Sequence, residues 1–186
     1  TVRVNAVVDS VVIDDSRAVG VRLAGGELIE ARGVVVCAGA LATPVLLRRS
    51  NIDRPGIGKG LQDHPSIAIT LALRQKQLSA IQIGATVRTS SQKGSADIHV
   101  LSLNETDEAG QFGSLIAGVM NVHSRGEVKF DSVSGTGVAM FNSLSDERDR
   151  EAMREAVRFT YNLACSQSVN NIAHSLLSDS IGTSAQ

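Results

Sequence analysis

The chain of 186 residues has no Trp, one Tyr and four Phe, so only 3% of it is aromatic. Base-stacking platforms and sugar grooves are built from flat aromatic faces, and this poverty argues against both. Charge of one sign is lacking too. Eighteen Lys and Arg stand against nineteen Asp and Glu, dispersed along the chain, for a formal net charge of -1. No basic field exists to gather phosphate backbones or anionic lipid. No apolar run approaches the length that spans a bilayer, and the first residues lack the basic-then-apolar order of a signal peptide. These absences lead us to expect no nucleic-acid partner, no membrane partner and, by default, a cytoplasmic setting. Only two cysteines occur, Cys37 and Cys165, far apart and in apolar stretches, which reads as a pair of reduced core thiols rather than a disulfide.

Catalytic and metal signatures are equally sparse. His64, His99, His123 and His174 are scattered, and none has a second ligand at metal-binding spacing. No metal site is expected. There is no G-x-S-x-G elbow, and no nucleophilic or acid-base residue of this chain is assigned as catalytic. "PGIGKG" (Pro55 to Gly60) resembles a phosphate loop only superficially: it lacks G-x-G-x-x-G spacing, and Gly60 follows Lys59 where a P-loop has Ser or Thr. The expectation there is a linker. Asp63 precedes His64 and could bias its charge, although adjacency proves no contact. A sequon at Asn104-Glu105-Thr106 reads as chance.

What is present is 42% apolar sequence with 20% charged residues, the composition of a globular domain. Val2 to Ile13 reads as a strand, "DDSRA" as a turn, and "VGVRLAGGELIEA" as two strands hinged at Gly25-Gly26. Val34 to Cys37 is wholly apolar and predicts a strand covered on both faces. Ala42 to Arg49 then predicts a short helix with Pro44 in its first turn. The Cys-Ala-Gly-Ala corner between them has two readings. Small residues let a ligand approach the backbone beside a helix N-terminus, or they merely bring helix and strand together.

The loop from Asn51 to Pro65 carries three glycines and two prolines, and the domain boundary is expected there, dividing 1–65 from 66–186. Beyond it, "SIAITLALR", "IGATVRTS", "ADIHVLSL", "SLIAGVMNV", "GEVKF" and "GVAMFNSL" predict one antiparallel sheet. Asp146 to Cys165 predicts a helix capped by Ser145, with Asp146, Glu147 and Asp149 loading its first turn with negative charge. Met153, Ala156, Val157, Tyr161 and Ala164 make its buried stripe, and Glu151 with Arg154 and Glu155 with Arg158 pair on its wet side. After Cys165 periodicity fades. The opening "TVRVNAVV", already inside a strand pattern and without Met, reads as a piece of something longer.

The order of these features resembles the glucose-methanol-choline (GMC) flavoprotein oxidoreductases. "CAGALATPVLLRRSNI", "GIGKGLQDHP", "HSRGEVKF" and "NSLSDERDREAMREAVR" stand in the order of that family's "SAGAxxSPxLLxxSGI", "GxNLxDHP", "SRGxV" and acidic-capped helix. The resemblance implies an α+β chain: part of an FAD-binding α/β domain joined to an antiparallel-sheet substrate domain with helices on one face. It implies FAD as cofactor and a small-molecule alcohol as substrate, oxidised to an aldehyde or ketone by hydride transfer to flavin. Carried over residue by residue, it places the backbone of Val8 against adenine and Ala38, Gly39 and Ala40 beside the cofactor, while Asp63 and His64 match the "DH" leading into the substrate domain. Two positions depart from it, Cys37 where Ser is common and Gly60 where Asn is usual. It also implies an internal fragment, inactive alone, because the family's dinucleotide loop and catalytic His belong to segments with no counterpart here. The alternative is a non-catalytic α+β interaction module descended from such a flavoprotein.

Overall fold

In a computed structural model, which describes residues 1–76, 83–104 and 109–175, the chain divides into two compact units. The first comprises Thr1–Gln62 and Arg125–Asn142, the second Asp63–Ser124 and the described residues from Ser143 onward. The first unit thus combines most of the expected 1–65 with Arg125–Asn142, a segment expected within 66–186. The return of Arg125–Asn142 to the first unit has no local signature in the sequence. Glu105 and Thr106 of the sequon, and the stretch after Ser175, lie outside the described residues.

The first unit opens with an antiparallel meander, β1 (Val8–Asp14), β2 (Arg17–Leu23) and β3 (Leu28–Glu30), in that spatial order. Asp15 and Ser16, with φ of 44° and 64°, make the tight turn between the first two strands. The hairpin at Gly25-Gly26 forms as expected, with Gly26 at φ 87°. Helix α1 (Gly39–Arg49) follows. It begins earlier than expected, which puts Pro44 inside the helix rather than in its first turn and leaves the Ala40 carbonyl without its helical N–H donor.

Val34 to Cys37 contradicts the sequence expectation. It is no strand: the segment joins no ladder among the described residues, and Val35 is 88% exposed. Apolar β-branched residues favour extended backbone, but a strand exists only where a neighbouring backbone completes the hydrogen bonds. Cys37 and Cys165 are both exposed free thiols, so the expected core placement is also wrong.

A second small sheet completes this unit, with β10 (Thr136–Met140), β9 (Gly126–Asp131) and β4 (Lys59–Leu61) in that order. The loop read as a linker therefore contains a strand. Helix α1 packs against β1 and against β9 and β10, and side chains fasten it at its C-terminal end. The Ser50 hydroxyl accepts from the Val11 N–H at 2.8 Å and donates to the Leu46 carbonyl at 2.7 Å. Arg49 donates from Nε and Nη2 to the Gly135 carbonyl at 2.8 and 2.5 Å.

The second unit is a five-stranded antiparallel sheet, ordered β11 (Ala173–Ser175), β5 (Ser66–Leu73), β8 (Phe112–Val119), β7 (Ile98–Leu103) and β6 (Ile83–Thr89). Four of the six segments expected in one sheet are here; "GEVKF" and "GVAMF" belong to the first unit as β9 and β10. Period-two alternation sends Ile69, Leu71, Ile98, Val100, Leu115, Ala117 and Val119 to one face, where Ala152, Met153, Ala156 and Ala164 of α2 (Glu147–Ala164) cover them. The opposite face carries Thr70, His99, Leu101 and Ile116, all half-buried. Helix α3 (Gln167–Asn170) leads into β11.

Three details of α2 differ from expectation. Its N-cap is Asp146, whose side chain accepts from the Arg148 N–H at 2.9 Å, rather than Ser145. Val157 is 40% exposed, and the buried stripe runs through Asp149, Ala152, Met153, Ala156, Thr160 and Ala164. The expected ion pairs give way to others: Glu147 receives both Arg150 and Arg154, Glu151 pairs with Lys93 of a distant loop, and Glu155 accepts from the Gln92 N–H. Long side chains reach tertiary partners as easily as their own helix, and propensity on one helix does not choose between them.

Candidate functional site

Helix α1 and strand β4 wall a cleft of about 560 Å³ in the first unit. Gly39, Ala40, Thr43 and Pro44 form the helical side; Gly58, Lys59, Gly60, Leu61 and Gln62 form the strand side, and Val128 closes it. Gly39 stands at φ 80°, in the left-handed region where a side chain is strained. The N-cap residue Ala38 makes no side-chain cap hydrogen bond to the first turn of α1.

The strand side is shaped by two glycines with different tasks. Gly58 has φ 78°, and a Cβ there would stand 2.3 Å from the Val128 carbonyl oxygen; its own carbonyl accepts from the Val128 N–H at 2.7 Å. Only a hydrogen fits between β4 and β9 at that point. Gly60 has φ 73°, but a Cβ there would meet nothing within 4 Å. It is the extra residue of a bulge, since Lys59 pairs with Glu127 and Leu61 with the adjacent Gly126. Gly39 and Ala40 on the helical side, and Gly58 and Gly60 on the strand side, thus leave parts of both walls with no side chain larger than a methyl group.

Its one charged member is neutralised in place. Lys59 forms an ion pair with Glu127, its cross-strand neighbour, and Lys129 reaches the other oxygen of Glu127 at 3.2 Å. The Lys59 hydrogen bond first, and that of Lys129 second, hold the Glu127 carboxyl below the usual range.

Of the four residues expected at the cofactor, the structure brings Gly39 and Ala40 to this cleft. Ala38 caps the helix and is exposed, and Val8 is half-buried at the start of β1, paired with Leu23; neither lines the cleft. Gly58, Gly60 and Val128 line the cleft without having been expected there. The glycine spacing was a legible sign of repeated positive φ, whereas Val128 is remote in sequence and carried no sign.

The second unit holds two buried carboxylates that bind backbone rather than a ligand. Asp149 is wholly buried and accepts from the His123 N–H at 2.8 Å and the Ser124 N–H at 2.6 Å. Burial pushes its pKa up, but hydrogen bonds from the Ser124 side chain and from these two N–H groups outweigh it, and the net shift is downward. Asp97 accepts from the Ser91 N–H and hydroxyl at 2.8 and 2.7 Å. Asp63 does touch His64, but through the backbone N–H at 2.8 Å, while the ring Nδ1 lies 3.0 Å from the Val119 carbonyl. Since a carbonyl only accepts, Nδ1 carries the hydrogen. Among the described residues no cluster of His, Cys, Asp and Glu could hold a metal ion, and no helix is long and apolar enough to cross a membrane.

The chain is similar to known proteins in sequence and in fold. Residues 1–66 match the family model described as GMC oxidoreductase. The oxygen-dependent choline dehydrogenase of Pseudomonas fluorescens (strain Pf0-1) is 38% identical over 96 residues, covering 40% of this chain and 17% of that protein. The oxygen-dependent choline dehydrogenase of Escherichia coli O17:K52:H18 (strain UMN026) is 26% identical over an alignment of 217 residues, covering 86% of this chain and 39% of the enzyme. The crystal structure of pyridoxine 4-oxidase from Mesorbium loti shares the fold, with a TM-score of 0.79 and 23% identity over 91% of this chain and 40% of that one. The chain thus spans about two fifths of these longer proteins or less. Residues 1–66 are thus similar to the GMC oxidoreductases, and the wider alignment extends the similarity to the oxygen-dependent choline dehydrogenases.

Proposed function

We propose that this chain supplies part of the cofactor wall and part of the substrate chamber of an FAD-dependent oxidoreductase that converts an alcohol to an aldehyde or ketone. The observation that carries the reading is the backbone-walled cleft at Gly39, Ala40, Gly58 and Gly60. A flat ring system can approach the backbone itself closely where side chains are absent, and at Gly39 and Gly60 a Cβ would point into open space. The residues fit such a group. Bound against Gly39, Ala40, Gly58 and Gly60, the flavin would supply the hydride acceptor for oxidation at the alcohol carbon.

This chain's own residues orient and enclose. Gly39 and Ala40 present the first turn of α1 without a capping side chain, and Gly58 and Gly60 keep the facing wall flat. Glu127 holds Lys59 along the ladder and offsets its charge beside the cleft. Among the described residues that line the cleft, none is assigned the task of taking the hydroxyl proton. The open face of the second unit's sheet, with Thr70, His99, Leu101 and Ile116, supplies the mixed apolar and polar surface an alcohol needs.

Two measurements test this. The 186-residue chain by itself should quench FAD fluorescence only weakly, because it contains no G-x-G-x-x-G to cradle the pyrophosphate; tight stoichiometric binding would contradict the assignment of a partial wall. The polypeptide that contains residues 1–186 should reduce dichlorophenolindophenol in an alcohol-dependent manner. Ala40→Leu, which fills the cleft with a good helix former, should lower FAD affinity by about tenfold with unchanged circular dichroism. A polypeptide without bound flavin or alcohol-dependent reduction would instead be the non-catalytic module.

A further inference from the structure

A second cleft of about 340 Å³ opens in the first unit where α1 passes β9, sharing Pro44, Lys59 and Val128 with the first. Its apolar lining is Val45, Ile57, Val128 and Phe130, of which only Val128 is buried. Its rim is cationic. Arg48, Lys59 and Lys129 line it, and the single carboxylate lining it is Glu127.

The charges do not cancel. Glu127 is shared between Lys59 and Lys129, and Arg48 is paired with Asp53, so three cations answer to two carboxylates. One unit of positive charge is left over this lining among the described residues. Asp53 is 77% exposed and holds Arg48 from the solvent side, where a solvated pair is worth little and a competing anion displaces it easily. The volume lies within the range of small-molecule sites, and an apolar lining with a few convergent polar groups is their usual construction.

We propose that this cleft binds a small amphiphilic monoanion, a carboxylate on an apolar chain or ring, with its body on Val45, Ile57 and Phe130 and its head group between Lys129 and Arg48. A neutral ligand would leave the surplus charge unanswered. An inorganic anion would leave the apolar lining wet. A cation would be repelled by the rim. The inference concerns a ligand class and does not depend on flavin.

Octanoate is the probe, titrated into the chain by calorimetry beside 1-octanol and octylammonium, which share its tail and differ in charge. Octanoate should bind saturably, about tenfold or more tighter than octanol, with octylammonium weakest. Lys129→Gln should weaken octanoate by about tenfold and leave octanol unchanged. Glu127→Gln should do the opposite, tightening octanoate several-fold by releasing a second cation, an effect that simple damage to the fold would not produce. Equal binding of octanoate and octanol would mean an unspecific apolar patch and overturn the proposal. So would absence of saturable octanoate binding, or weaker octanoate binding by Glu127→Gln.

Discussion

Asp149→Ala is expected to cost the second unit about 3 kcal/mol, a large part of the stability of a domain this size. The carboxylate is wholly buried and collects the N–H groups of His123 and Ser124, while the Ser124 hydroxyl in turn accepts from the Asp146 N–H at 3.1 Å. Removing the acid orphans buried donors at the start of α2 all at once, and Ala offers no acceptor in return. Urea unfolding followed by far-ultraviolet circular dichroism reads the loss directly. The effect should depend on pH. Because the native pKa lies below the ordinary value, the carboxylate's contribution is fully present above about pH 4 and is lost as pH falls through the native pKa. Wild type and variant should therefore converge in acid. A gap under about 1 kcal/mol at neutral pH, or one that widens in acid, would refute the clamp.

Gly58→Ala and Gly60→Ala should separate sharply although the residues are near neighbours with the same sign of φ. At Gly58 the new methyl would stand 2.3 Å from the Val128 carbonyl oxygen, so β4 must leave β9 or the backbone must distort. The strained φ of 78° adds to that. The expected loss is about 3 kcal/mol or more, with the wall of the first cleft lost alongside. At Gly60 the methyl meets nothing, and only the left-handed backbone is penalised, about 1 kcal/mol. Gly60→Asn should cost less still, because Asn is the side chain that best tolerates this conformation. Thermal unfolding of the three variants, with hydrogen exchange at the Val128 amide, decides the matter; equal losses at both glycines would show that backbone strain alone governs this strand.

These two cases mark where sequence reading succeeds and fails. Asp149 was legible as an acidic residue near a helix start, and from that alone it belonged with the solvated charges of the first turn. Its place in the stripe with Met153 and Ala156 was equally visible, but a carboxylate on a buried face makes sense only once the loop bearing His123 and Ser124 supplies its donors. The glycines of "GIGKG" were legible as a turn-rich stretch. Their division into a packing glycine and an open one depends on β9, which arrives from far along the chain.

Local pattern by itself determined the meander, except that residues 2–7 lie outside β1 with Val2, Val4 and Val7 exposed, together with the hairpin at Gly25-Gly26, α2 and the strand character of all six later segments, because alternation and helical periodicity are written between near neighbours. The succession of motifs likewise carried the resemblance to the GMC oxidoreductases, and two of the four expected cofactor residues, Gly39 and Ala40, line the cleft. Tertiary structure alone decided which strands share a sheet, why Val34 to Val36 stay unpaired, and how Glu127 comes to sit between two lysines. Strand pairing and ion pairing are contacts between residues far apart in the chain, and their free energy depends on a partner backbone or charge that no local window contains.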